Sequence, residues 1–205
     1  LDPDRGTGSI VAADDAATGV LRCVEAAGSA THLLVALDRA HLALIELDGP
    51  GVECIATRAM GAWGLYEVRL NAVPLTRIAE GAVDLDDLRI KGKAMLAARA
   101  YGAARRAFEL AVDYARERHQ FGQPIGKFQA IQHKLANCLI ALEGVRLVLD
   151  HIARLHDGDD ADWRYFADCV SAFSGSALRQ VALETQHTFG AIGYAEEHEA
   201  PIHFK

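Results

Sequence analysis

The chain has 205 residues, 51% of them hydrophobic, 24% charged and only 5 proline, a composition that buries a core and excludes wholesale disorder. Its 28 acidic against 21 basic residues give a formal net charge of −7, which argues against nonspecific binding of nucleic acid, where a clustered basic excess is needed. No apolar run approaches about 18 residues without a charged or polar break, so no membrane-spanning helix is expected.

The chain opens on Leu1-Asp2-Pro3-Asp4-Arg5, without Met, a basic n-region or an apolar h-region. A fragment with no visible signal peptide is the expectation. Gly6-Thr7-Gly8 lacks the third glycine of a dinucleotide fingerprint and no strand precedes it, so it reads as a loop. From about Ser9 to Thr76 the apolar residues come in short bursts. Thr31–Leu37 and His41–Leu47, joined by Asp38-Arg39-Ala40, predict a β-hairpin. Asp48-Gly49-Pro50-Gly51 predicts a turn, and Val52–Thr57 a further strand. In the last strand, Tyr66–Val73, Glu67, Arg69 and Asn71 alternate with Val68, Leu70 and Ala72. This half reads as a small antiparallel β region.

Past Ala82 the period changes. Ile90, Ala94, Ala97, Tyr101, Ala104, Phe108, Ala111 and Ala115 fall at steps of three and four, the stripe of a long amphipathic helix. Asp84, Asp86 and Asp87 sit where the helix dipole favours negative charge. Phe121-Gly122 is expected to close this helix, and Pro124 suits the first turn of the next. Phe128, Ile131, Leu135, Cys138, Leu142, Val145, Leu149 and Ile152 repeat the spacing. Asp157-Gly158-Asp159-Asp160 predicts a loop, and Phe166, Val170, Phe173, Ala177 and Val181 mark one face of a third helix from about Asp162. The fold class is therefore α+β: an antiparallel β region over residues 1–80, then an antiparallel helical, bundle-type domain over 81–205. A second stripe on the first helix, Leu96, Ala100, Ala103, Ala107 and Leu110, makes it apolar over much of its circumference. Three helices cannot cover both faces, so a dimer or tetramer built on this half is expected.

Cys23, Cys54, Cys138 and Cys169 lie at least 31 residues apart and form no CxxC, which predicts buried free thiols in a reducing compartment. His151 and His156 are five apart rather than at the i, i+4 spacing of a helical metal pair, and no metal site is expected. Ser174-Gly175-Ser176 falls mid-helix, not at a nucleophile elbow.

Two segments carry chemistry. Arg118-His119-Gln120-Phe121-Gly122-Gln123-Pro124-Ile125 reads either as a tight corner plugged by Phe121 or as an anion-and-ring site. In the second reading Arg118 offers a bidentate fork for phosphate and Phe121 a stacking face for a purine. In Gln186–His198 the small residues Gly190, Ala191 and Gly193 allow close approach to the backbone.

The first segment, followed by Phe128-Gln129-Ala130-Ile131-Gln132-His133-Lys134-Leu135-Ala136, resembles the flavoprotein acyl-CoA dehydrogenase family. Gly190-Ala191-Ile192-Gly193-Tyr194 with Glu197-His198 resembles that family's second glycine-rich signature, about 70 residues further on. The β half is similar to part of its middle domain, with Ala36–Val52 matching a hairpin and turn. The resemblance implies FAD held between subunits. Arg118 would pair with the pyrophosphate and Gln120 would hydrogen-bond nearby. Phe121 would pack on the adenine side, with Ile125, Phe128 and Gln129 lining the site. His187, Gly190 and Ala191 would approach the adenosine part of FAD in the opposite subunit.

The chain departs from the family at His187, where glutamine is usual, at Ala191, which replaces a glycine, and at Lys93, where an arginine commonly orients CoA. The implied reaction is α,β-desaturation of an acyl-CoA substrate, with electrons passing to an electron-transfer flavoprotein. No catalytic residue is assigned: one family base position lies beyond Lys205 and the other falls at about Gly92. Asp86, Asp87, Glu196 and Glu197 match neither. A non-catalytic subunit of a heteromeric dehydrogenase is the alternative function, and an oxidase or monooxygenase on the same fold a third. The resemblance further implies a bacterial cytoplasmic location, or the mitochondrial matrix in a eukaryote, with neither nucleic acid nor membrane as partner.

Overall fold

The computed structural model describes residues 8–13, 15–37, 41–58, 64–78, 84–195 and 197–204. Two compact units divide between Leu88 and Arg89, within the first turn of the first long helix. The expected α+β class holds: the six-stranded sheet lies in the first unit and the three long helices, from Arg89 of the first onward, in the second.

The first unit is an antiparallel sheet of β1 (Gly8–Ala13), β2 (Ala16–Glu25), β3 (His32–Ala36), β4 (Leu42–Glu46), β5 (Val52–Ala56) and β6 (Leu65–Arg77). Its order is β1-β2-β6-β4-β3, with β5 also paired to β6. The expected hairpin is β3–β4, in register from His32↔Glu46 to Ala36↔Leu42; its link, Asp38–Ala40, lies outside the described residues. Strands β1 and β2 were not among the predicted elements. Gly8 opens β1 rather than lying in a loop.

Strand β6 organises the sheet, and it does so with a bulge. Ala17 pairs with Val73 but Gly19 with Leu70, so β6 carries one extra residue there. The extra residue adopts a left-handed conformation at Ala72 (φ 50°), and Thr18 Oγ1 captures the freed Ala72 N–H at 3.0 Å. The bulge shifts the inward phase, so Val68, Leu70, Val73 and Leu75 are buried and Ala72 is exposed. Strict alternation, which placed Ala72 beside Leu70, fails for this reason. A second shift between Leu21 and Val24 puts the extra residue on β2, at Cys23 (φ 58°). Ala17, Ala27, Val35, Ala43, Ile45 and Leu47 join the four from β6 in the core.

The second unit is built on α1 (Leu85–Glu117), α2 (Gln129–Asp157) and α3 (Trp163–Phe189). Asp84 starts α1 by accepting the Asp87 N–H on Oδ1 at 3.0 Å, a side-chain N-cap. The helix ends at Glu117, four residues before the expected stop, because the backbone turns into a small hairpin. From the expected stripe Ala97, Ala104, Phe108, Ala111 and Ala115 are buried. Ala97, Ala104 and Phe108 meet Cys138, Leu142 and Val145 of α2 and Ala167, Val170 and Val181 of α3 in the bundle core, while Ala111 packs with Phe189 and Ala200. On α3 the inward position is Ser174 rather than Phe173, which is 46% exposed and lies over Gly144 of α2. The second stripe of α1 splits: Ala107 is buried and Leu110 half-buried, but Leu96 and Ala100 are exposed.

The four cysteines are free thiols, but only Cys138 is buried; Cys23, pushed out by its bulge, is exposed. His151 packs edge-on to Phe166 at 4.5 Å and His156 to Trp163 at 5.1 Å, so both serve as aromatic packing. No helix among the described residues is long and apolar enough to cross a membrane.

Candidate functional site

Beyond Glu117 the chain makes β7 (His119–Gln120) and β8 (Gln123–Pro124), paired His119↔Pro124 and Gln120↔Gln123. The connecting residues are Phe121 (φ 52°) and Gly122 (φ 80°), both left-handed, as a two-residue primed hairpin turn requires. Glycine accepts this freely, whereas a non-glycine residue in this region costs roughly 1–2 kcal/mol. The strain holds the Phe121 ring out in solvent, where it is 93% exposed and touches the edge of Phe128 at 6.2 Å. Phe121 therefore does not plug the corner. An apolar ring kept both strained and exposed can offer its face to a planar group.

The corner beneath the ring is rigid. Ile125 N–H donates to Arg118 O at 2.8 Å, and Gln132 Nε2 to Gly126 O at 2.9 Å. Gly126 lies so close to α1 that an added Cβ would sit 2.9 Å from the Ala115 carbonyl oxygen. A short 3-10 turn, Ile125–Lys127, leads into α2. Ile125 and Phe128 are half-buried at this base, while Arg118, Gln120 and Gln129 are exposed. Arg118 makes no ion pair among the described residues, so its guanidinium remains available to an anion.

The second segment lies at the same end of the bundle. Phe189, the last residue of α3, is buried against Tyr114 of α1 (ring centroids 5.3 Å) and His198 (4.9 Å). Gly190 (φ 64°) ends α3, and a 3-10 turn, Gly190–Tyr194, follows. His187, Gly190 and Ala191 are exposed, and a Cβ on Gly190 would meet nothing within 4 Å. Helix α4 (Ala200–Phe204) then folds back. Glu199 takes two hydrogen bonds from Arg106 of α1, each 2.8 Å, and its Oε1 lies 3.0 Å from His203 Nε2. Those bonds, Arg106 first and His203 second, hold the Glu199 carboxyl down at about 2. Between α2 and α3, Lys134 Nζ lies 2.7 Å from Glu184 and holds that carboxyl below its usual range.

Nine of the ten singled-out residues thus gather at one end of the bundle, and Lys93 does not. It lies 25 residues before Arg118 along α1, a rise of about 37 Å. There its Nζ contacts Asp168 of α3 at 2.6 Å. Gly92 faces open space beside it, Glu197 is exposed, and Glu196 lies outside the described residues. Sequence reasoning missed Tyr114, Gln186 and the Arg106–Glu199 pair, which shape the site from behind. Their partners lie seven residues away for Gln186 and more than seventy for Tyr114 and Arg106, so no local pattern announces them.

The profile described as "Acyl-CoA dehydrogenase, C-terminal domain" matches residues 91–204, more than half of the chain. The chain belongs to the acyl-CoA dehydrogenase family. It is 37% identical over 112 residues to the acyl-CoA dehydrogenase IpdE2 of Mycolicibacterium smegmatis, covering 54% of this chain and 34% of that protein. Against the 3-sulfinopropanoyl-CoA desulfinase of Paraburkholderia xenovorans the identity is 31% over 161 residues, 73% of this chain and 41% of that one. The crystal structure of the ChsE4-ChsE5 complex from Mycobacterium tuberculosis matches with a TM-score of 0.84 and 25% identity, over 99% of this chain and 57% of the matched chain. The chain therefore spans about a third to two fifths of these curated relatives.

Proposed function

We propose that this chain is the FAD-holding part of an acyl-CoA dehydrogenase. The observation that carries the reading is Phe121, strained and 93% exposed, beside an arginine without an ion pair among the described residues. A stacking ring next to a planar cationic fork fits a dinucleotide that presents a purine and a pyrophosphate. Arg118 would clamp the pyrophosphate, Gln120 would donate nearby, and Phe121 would lie against the adenine over a floor of Ile125, Phe128 and Gln129. From an opposite subunit, His187 would donate one hydrogen bond to the adenosine part, and Gly190 and Ala191 would admit it to the backbone. An oligomer, dimer or tetramer, is part of the proposal, and the exposed apolar residues Met95, Leu96, Ile140 and Leu147 support it.

When bound, FAD supplies the hydride acceptor for α,β-desaturation of an acyl-CoA thioester. The residues here bind and orient that cofactor. None of them is assigned the α-proton, because Gly92 has no side chain to take it and Asp86 and Asp87 sit in the first turn of α1. An electron-transfer flavoprotein is the proposed electron acceptor, and the cell cytoplasm or mitochondrial matrix the proposed location. The measurement is the visible spectrum of the purified full-length protein. A bound-flavin spectrum is expected, and a protein that carries no flavin and has no affinity for added FAD would refute the reading.

One observation favours a second reading, the non-catalytic subunit of a heteromer. Lys93, proposed to meet CoA, is already 2.6 Å from Asp168. Opposite charge at that distance competes with a phosphate for the ammonium. Dehydrogenase activity that appears only on co-expression with a second, base-bearing subunit would favour this reading, and activity of the homomer would exclude it.

A further inference from the structure

One buried amide has no part in the cofactor reading. Gln186 sits in the last turn of α3, only 3% exposed, and its Nε2 donates to the carbonyl of Gly193 across the glycine-rich turn. The contact is close on every side. A Cβ on Gly193 would fall 2.9 Å from Phe189 Cβ and 3.1 Å from Gln186 Nε2, so position 193 accepts only glycine while Gln186 stays in place. The turn has opposite character on its outer side, where Gly190, Ala191 and Ile192 are exposed and Gly190 opens into free space. Short 3-10 segments have poor internal hydrogen bonds and depend on outside support.

We propose that Gln186 is a positioning residue that locks the Gly190–Tyr194 turn onto the end of α3 and so preforms its outer face for the adenosine end of the cofactor. The inference rests on the FAD reading above. Neighbouring His187 is exposed and Gln186 buried, so the two side chains act on opposite sides of the same turn. Removing the amide leaves the Gly193 carbonyl in a buried place without its donor, and the turn regains water only by lifting away. A ligand must then order the turn on binding, which lowers affinity.

The test compares full-length wild type, Gln186→Leu and Gln186→Glu by amide hydrogen exchange and FAD titration. The leucine variant keeps the volume and loses the donor, so exchange over residues 190–195 should quicken, and FAD binding weaken, by about tenfold, the scale of one lost hydrogen bond. The glutamate variant should be at least as weak at about pH 8, where a carboxylate faces a carbonyl. At about pH 5.5 burial holds the carboxyl protonated, it donates again, and affinity should return to within roughly threefold of wild type. His203 lines the space beside Gln186, so wild type and the leucine variant at both pH values remove any effect of that histidine. If the leucine variant fails to fold, the glutamate variant carries the test within one protein. Unchanged exchange in the turn overturns the lock, and faster exchange with unchanged FAD affinity overturns the positioning role. A wild type that binds no FAD overturns the cofactor reading and this role together, while the exchange data still show whether the turn is pinned.

Discussion

Arg106 meets Glu199 with two parallel bonds, Nε to Oε1 and Nη2 to Oε2, both 2.8 Å. This bidentate pair ties the segment leaving the glycine-rich turn back to the middle of α1. The carboxyl, held at about 2 against an ordinary 4.5, binds its proton less tightly folded than unfolded. Its contribution is therefore complete above about 4.5 and is lost as pH falls toward 2. Protection of residues 197–204 from hydrogen exchange should stay level from neutral pH down to about 5 and fall below that. In Arg106→Ala the segment should exchange quickly at every pH, whereas an unaltered profile would mean that the pair holds nothing.

Phe121 should trade stability against binding. Phe121→Gly removes the left-handed penalty, so the apo protein should be unchanged or stabilised by up to about 1 kcal/mol after glycine's own unfolded-state entropy is counted. The same change removes a stacking face worth about 1–3 kcal/mol, and FAD affinity should fall roughly 5- to 150-fold. Thermal melts of the apo protein and flavin titrations give the two numbers. A variant both less stable and equally tight would assign the ring to packing.

Much of this was legible in the residues, for identifiable reasons. The α1 and α2 stripes are long enough that period 3.6 stands out over many turns, and the β3–β4 hairpin is bounded by turn residues. Strands β1 and β2 were not, because Gly8, Ala12, Ala13, Ala16, Ala17 and Gly19 give little strand propensity; pairing with β6 sets their conformation. The bulges at Ala72 and Cys23 are backbone events with no residue signature. The corner stood out in the residues but was misplaced as geometry, since nothing in Phe121 announces a left-handed turn. Gln186 was hidden because its role depends on a carbonyl seven residues away.

The thiols should differ sharply. Burial first, and the Glu184 charge second, raise the Cys138 thiol to about 11. A raised value means the neutral form is favoured in the fold, so this contribution is full below about 9 and is lost as pH climbs toward 11. At mildly alkaline pH a thiol reagent should modify exposed Cys23 in the native protein and reach Cys138 only on unfolding. Equal labelling of the two, read by peptide mass spectrometry, would contradict the packing of α2 against α3.

FAD titration of full-length wild type, Arg118→Ala and Arg118→Lys tests the central claim most directly. If the guanidinium clamps the pyrophosphate, alanine removes a charge-assisted contact worth about 1.5–3 kcal/mol, and affinity should drop roughly 10- to 100-fold. Lysine should restore only part, because an ammonium cannot reproduce the planar fork. Without FAD the melting temperatures of all three should nearly coincide, since Arg118 is exposed and makes no ion pair among the described residues. The stabilisation gained on adding FAD should shrink in step with affinity. Equal dissociation constants for the three proteins would contradict the account and leave the corner at Arg118–Phe121 as a turn between two helices.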